Sequence, residues 1–149
     1  MSINPELAGR SYPAQEPYVV GREKIREFAV AVKATHRAHY DLDAAADLGH
    51  SDLLAPPTFA IVVAQRADAL LVNDPASGID FSRVVHADQR FTHHRPIVAG
   101  DELVAELHVD TVRTMGGGAM ISTRAEITTT AGEAVATTVS SILVRGEEA

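Results

Sequence analysis

The sequence predicts an α+β fold in which one antiparallel sheet wraps a central buried helix. Three observations predict it. Residues 22–72 carry helical periodicity and include a segment apolar on every side. From residue 84 onward, apolar and polar residues alternate in long runs. Gly-bearing turns separate those runs, and connections that short favour antiparallel pairing. At 149 residues the chain fits one domain, residues 1–149, and can bury a core without metal or disulfide support; it contains no Cys.

The first segment holds Pro5, Pro13 and Pro17 and reads as extended chain lying on the surface, with Tyr18–Val20 able to pair as a short strand. From Arg22 to Lys33, Ile25, Phe28, Ala29 and Val32 fall at i, i+3, i+4 and i+7, one buried stripe of an amphipathic helix. A short helix follows from Leu42 to Leu48, with Asp41 placed to cap its start and Gly49 suited to the left-handed position after its end. Pro56 and Pro57 can open the next helix, because first-turn residues have no use for their missing N–H groups. Phe59 to Ala64 is apolar all round, so this helix is expected to be buried on all sides.

The second half is strand and turn. Val84–Pro96 is one extended segment, and the turn Val98–Glu102 leads into a strand where Leu103, Ala105, Leu107 and Val109 alternate with Val104, Glu106, His108 and Asp110. Gly116–Gly118 makes a turn; without a following helix and Lys it is a hairpin rather than a phosphate cradle. Ala131–Glu133 turns the chain into the last strand. Four long strands with short links predict an antiparallel meander.

Composition narrows the function classes. A formal charge of −7 argues against nucleic acid as a partner. Arg22, Lys24 and Arg26 cluster near one helix and Arg90, His93, His94 and Arg95 in one strand; both read first as solvated faces. The start MSINPELAGR has no apolar signal-peptide core, and runs such as AIVVA are too short for membrane insertion. A cytoplasmic location is the expectation. His93 and His94 are adjacent and would point to opposite faces of a strand, while His36 and His39 lack a third ligand, so no metal and no cofactor is expected.

Three segments carry chemistry: Phe28–Asp43 (FAVAVKATHRAHYDLD), LLAPPTF, and VVHADQRFTHHRPIVAGDEL, which ends in P-x-x-x-G-D-x-L through Pro96, Gly100, Asp101 and Leu103. In this order and spacing they resemble the MaoC-like (R)-specific hydratases and dehydratases. Within that family the chain is most similar to the small actinobacterial (3R)-hydroxyacyl-ACP dehydratase subunits, in the MaoC dehydratase N-terminal branch. The resemblance covers nearly the whole chain and implies a hot-dog fold whose sheets join edge to edge in dimers. It also implies an acyl thioester substrate, carried on CoA or acyl-carrier protein, and a site in which an Asp and a His five residues later add or remove water.

Here the His is present as His39, but the Asp position holds Ala34. Dehydration needs a base for the C2 proton, an acid for the leaving hydroxyl and stabilisation of the developing oxyanion. His39 can serve as the base. Ala34 can neither give nor take a proton, and losing one partner of such a pair costs a factor on the order of 10² to 10⁴. His36 is the rescue candidate. The family's oxyanion N–H falls on Pro57, which has none, leaving Thr58 at the positive end of the helix to donate instead. Phe59 completes that substrate-binding loop, and Arg90 or Arg95 could meet a pantetheine phosphate.

Three functions follow, in this order: a dehydratase or hydratase subunit working with a catalytic MaoC-like chain, as heterodimer or homodimer; a non-catalytic hot-dog module binding acyl-CoA or lipid; and a self-sufficient hydratase using His39 with His36.

Overall fold

The computed structural model describes residues 3–146. Helix α1 (Arg22–Ala31) buries Ile25 and Ala29, and Phe28 meets Phe59 edge to face at 5.3 Å between ring centres. The expected stripe stops one turn early. Val32 caps the helix, Lys33 takes the left-handed conformation (φ 60°), and the N–H groups of Lys33 and Ala34 turn back to the carbonyls of Val30 and Ala29 at 3.1 and 2.8 Å. This pair of bonds satisfies orphan carbonyls and ends the helix, which leaves Val32 45% exposed rather than buried.

After a single 3-10 turn (Arg37–His39), α2 (Leu42–Asp47) is built as expected: the Asp41 carboxylate accepts the Asp43 N–H at 2.9 Å, and Gly49 sits at φ 91° just past the end. Helix α3 (Ala60–Val72) begins later than its prolines suggested. Pro56 and Pro57 lie before it, in a turn closed by the Phe59 N–H on the Pro56 carbonyl at 2.9 Å.

One stripe of α3, made of Ala60, Val63, Ala64, Ala67 and Leu71, is buried on the sheet. Burial on all sides does not hold: Ile61 and Val62 are half-buried and Gln65, Arg66 and Ala69 are exposed. The sheet covers only part of the helix surface, and the flank carrying Ile61, Gln65, Asp68 and Ala69 opens onto a cavity beside the sheet.

The sheet has six strands: β1 (Ser11–Tyr12), β2 (Tyr18–Val19), β3 (Val84–His93), β4 (Glu102–Met115), β5 (Gly118–Thr129) and β6 (Ala134–Val144). Their order is β1-β4-β5-β6-β3, with β2 also on β4, and the pairing is antiparallel. Only β4, β5 and β6 form the expected meander. β3 crosses to the far edge and pairs with β6, from Val84 opposite Val144 to His93 opposite Ala136. The crossing spans three inter-strand spacings, about 14 Å. The segment from His94 to Asp101 is long enough for that, where a tight hairpin would not be.

The β4–β5 link does close tightly. Met115 pairs with Gly118, and the two loop residues Gly116 and Gly117 have φ 57° and 85°, the double left-handed geometry of the hairpin turn that matches strand twist. Leu103, Ala105, Leu107 and Val109 all point inward, as their alternation predicted. They meet α3 and the Phe59 ring in one core.

Candidate active site

The site is built where three pieces of chain converge: the 3-10 turn, the segment before α3, and the end of β3. Residues 53–55 are held between neighbours like a short strand. The Leu54 N–H reaches the Ala38 carbonyl at 3.0 Å, the Ala55 N–H the Ile97 carbonyl at 2.9 Å, and the Ala99 N–H the Leu53 carbonyl at 2.9 Å. His39 is 6% exposed. Its Nδ1 lies 2.6 Å from the Leu54 carbonyl oxygen, which can only accept. A proton therefore sits on Nδ1, which leaves Nε2 as the acceptor of the neutral ring, with no protein donor to it among the described residues. That is the tautomer a general base requires.

His36 has a different job. It caps the 3-10 turn, its Nδ1 accepting the Ala38 N–H at 3.0 Å, with its ring centre 6.2 Å from that of His39. Ala34, the third residue past the end of α1, presents its carbonyl to the Tyr40 hydroxyl. Tyr40, whose ring lies 6.3 Å from that of its neighbour His39, thus ties the Ala34 backbone to this turn.

At the start of α3, Pro57 offers no N–H, and the exposed Thr58 amide donates to no protein acceptor among the described residues. A free amide at the N-terminal end of a thirteen-residue helix is a donor for an anionic oxygen. Phe59 is fully buried, between Phe28 and Tyr18. It anchors the turn that carries Thr58 rather than lining an opening.

The sequence places His93 in a basic, solvated cluster and gives it no part in a metal site. The fold brings it to this turn, where its Nε2–H donates to the Pro57 carbonyl at 2.7 Å. No sequence signal could have linked two residues 36 apart across a loop and a strand. His94, pointing elsewhere, meets the Thr137 hydroxyl at 3.1 Å.

The two arginines part company. Arg90 is solvent-exposed on the edge strand, its nearest partner Asp88 at 3.3 Å. Arg95 is committed to structure: two of its nitrogens meet the Asp101 carboxylate at 2.9 and 3.0 Å, and it also pairs with Glu133. Hydrogen bonding to Asp101 raises the Arg95 pKa further. Asp101 also accepts the Val98 N–H at 2.9 Å, beside Gly100 at φ 95°. The P-x-x-x-G-D-x-L segment is therefore a turn lock, with Leu103 as its core plug.

From the first turn of α3, a cavity of about 650 Å³ runs between the helix and strands β3, β5 and β6. The exposed Phe81 stands among its lining residues. Half-buried Asp68 also faces it, and desolvation pushes its carboxyl up to about 6. No described helix is long and apolar enough to cross a membrane.

The chain is similar in sequence and fold to known proteins. A UPF0336 protein of Clavibacter michiganensis is 51% identical over 149 residues, the full length of both chains. A chain in the structure of the C-terminally truncated HadBC (3R-hydroxyacyl-ACP dehydratase) complex of Mycobacterium tuberculosis superposes with a TM-score of 0.83 at 35% identity, covering 92% of this chain and 96% of that one. A MaoC-like dehydratase gives 0.84 at 36% identity over 93% of this chain and 42% of its own length. The antiparallel sheet around a helix is the hot-dog fold of these proteins. Matched by that family's profile over residues 6–138, the chain belongs to the FAS1-like, dehydratase domain region family.

Proposed function

We propose that this chain is one subunit of a (3R)-hydroxyacyl-thioester dehydratase or enoyl hydratase, paired with a second MaoC-like chain that carries an intact Asp–His pair. The observation that carries this reading is the half-complete site. His39 is held with Nε2 free and Thr58 offers an amide, yet Ala34 stands where an acid is needed. Likeness to a dehydratase solved as a two-component complex supports a partner.

In this reading the partner's pair takes the C2 proton and protonates the departing C3 hydroxyl, releasing water. This chain covers the site and houses acyl carbons in the cavity beside α3. The substrate is an acyl thioester on CoA or acyl-carrier protein, with Arg90 the one predicted arginine left without a buried partner to meet a phosphate. Single-domain organisation and a cytoplasmic setting belong to the same reading.

The test is hydration of crotonyl-CoA by the purified chain, alone and mixed with MaoC-like chains of the same organism. Activity is expected only in a mixture, together with co-purification. No gain with any partner and no complex would sink the reading. The self-sufficient alternative asks His36 to act as an acid although its Nδ1 is taken up by a cap; it predicts turnover by the chain alone, abolished by His39→Ala. The reading as a non-catalytic acyl-binding module, which the cavity supports, is favoured if an acyl-CoA raises the melting temperature while every mixture stays inactive.

A further inference from the structure

The cavity beside α3 is apolar along most of its length, with Ile61, Leu71, Val72, Val84 and Ile142 among its walls. At one level it changes character. Gln89 on β3, Ser140 on β6 and Thr123 on β5 are register partners on adjacent strands, so their side chains stand in one row on the inner face. Thr123 and Ser140 are 4% and 7% exposed. All three line the cavity, and so does Asp68 from the helix. The rest of β5's inner face is Ala119, Ile121, Ala125 and Ile127, all buried. Thr123 is thus a local exception on the inner face of β5, and the row it forms with Ser140 and Gln89 faces Asp68 across the cavity.

Asp68 is poorly satisfied there. Its one protein hydrogen bond comes from the Thr123 hydroxyl at a long 3.4 Å, and no cation lies within ion-pair distance among the described residues. His86 lines the same cavity without bonding to it, its Nε2 facing Gln89 at 3.1 Å. An apolar side chain at position 68 would fill the wall at no desolvation cost. A carboxylate facing an open cavity with unused acceptor capacity is a group placed for a ligand's hydrogen-bond donor. Asp68 lies seven residues beyond Ile61, about 10 Å along the helix axis and farther still from the Thr58 amide. A thioester held at Thr58 would therefore present to Asp68 a carbon far beyond C3.

We propose that the cavity selects acyl chains bearing a mid-chain hydroxyl, which donates to Asp68 and accepts from the Gln89 amide or the Ser140 hydroxyl. The inference rests on the acyl-thioester reading above and adds the class of chain that the subunit takes. Its test is binding rather than turnover: dissociation constants of stearoyl-CoA and 12-hydroxystearoyl-CoA, by calorimetry, for the chain alone and with its partner. The hydroxylated ligand is expected to bind at least ten-fold tighter to the unaltered chain. Asp68→Leu is expected to abolish or reverse the preference, and Asp68→Asn, which keeps polarity if the leucine variant folds poorly, to weaken it. Equal binding of the two ligands, or an unchanged ratio in both variants, overturns the hydroxyl preference while leaving the acyl reading intact. If neither ligand binds, the acyl reading falls and the preference with it. A preference present in the free chain but lost in the complex also overturns it and assigns Asp68 to subunit contact.

Discussion

Single residues decide the chemistry. His39 has its tautomer set by one carbonyl, that of Leu54, and needs nothing from its flanking charges to keep Nε2 open. If a partner supplies the acid–base pair, His39→Ala in the active complex should lower kcat/KM less than about ten-fold, whereas removing the partner's own catalytic histidine should cost about 10² or more. Steady-state assays of both mixtures separate these outcomes, and equal losses would return His39 to the chemistry. Asp68 gives a second residue-scale expectation. Its folded pKa of about 6 stands above the ordinary carboxyl value of 3.8, so in that window the folded chain holds more protons than the unfolded one. Stability therefore falls as pH rises through the window, and the full cost applies above it. Asp68→Asn should match the parent near pH 3.5 and exceed it near pH 7.5 by about 2 kcal/mol, once the solvent reaching the open cavity is allowed for. Urea titrations at the two pH values check it, and a difference independent of pH would refute the assignment.

Elements are fixed by their ends. Helix α1 stops because Lys33 accepts a left-handed conformation that suits glycine better. Lys33→Gly should relieve that cost, net of the greater freedom of the unfolded chain, by about 0.5 kcal/mol and raise the Tm by a degree or two. The opposite case is Gly118, which follows the β4–β5 turn. A Cβ there would lie 2.2 Å from the Val144 carbonyl oxygen and 2.9 Å from the Gly146 nitrogen. Both are backbone atoms that cannot step aside, so Gly118→Ala should cost about 1–3 kcal/mol or more. Thermal melts of the two variants should move in opposite directions; a neutral Gly118→Ala would show that the β4–β5 hairpin can shift as a unit.

At the scale of the whole molecule, the open flank of α3, the edge strand β3 and the exposed Phe81 (72%) border one cavity. The partner reading predicts that this border is covered in the complex. Phe81→Ser should weaken association at least ten-fold in sedimentation or titration while leaving the Tm of the isolated chain nearly unchanged, because an aromatic this exposed contributes little to the chain's own core. Much of this architecture was legible in the sequence. Alternation in β4 named its inward residues, Asp41 and Gly49 bounded α2, and the glycines at 116–118 named the β4–β5 turn, although Gly118 belongs to β5, because periodicity, caps and left-handed turns are local properties of the chain. The order and spacing of its motifs likewise pointed to the family, and the gap at Ala34 was visible in one residue. Other features had no local signature. Where β3 goes, which side of α3 stays open, that His93 meets Pro57, that Arg95 is spent on Asp101, and that Asp68 faces a row of polar side chains from three strands were decided only by tertiary structure. Each is a contact between distant segments, and their energies are set by which surfaces the sheet covers once it closes around the helix.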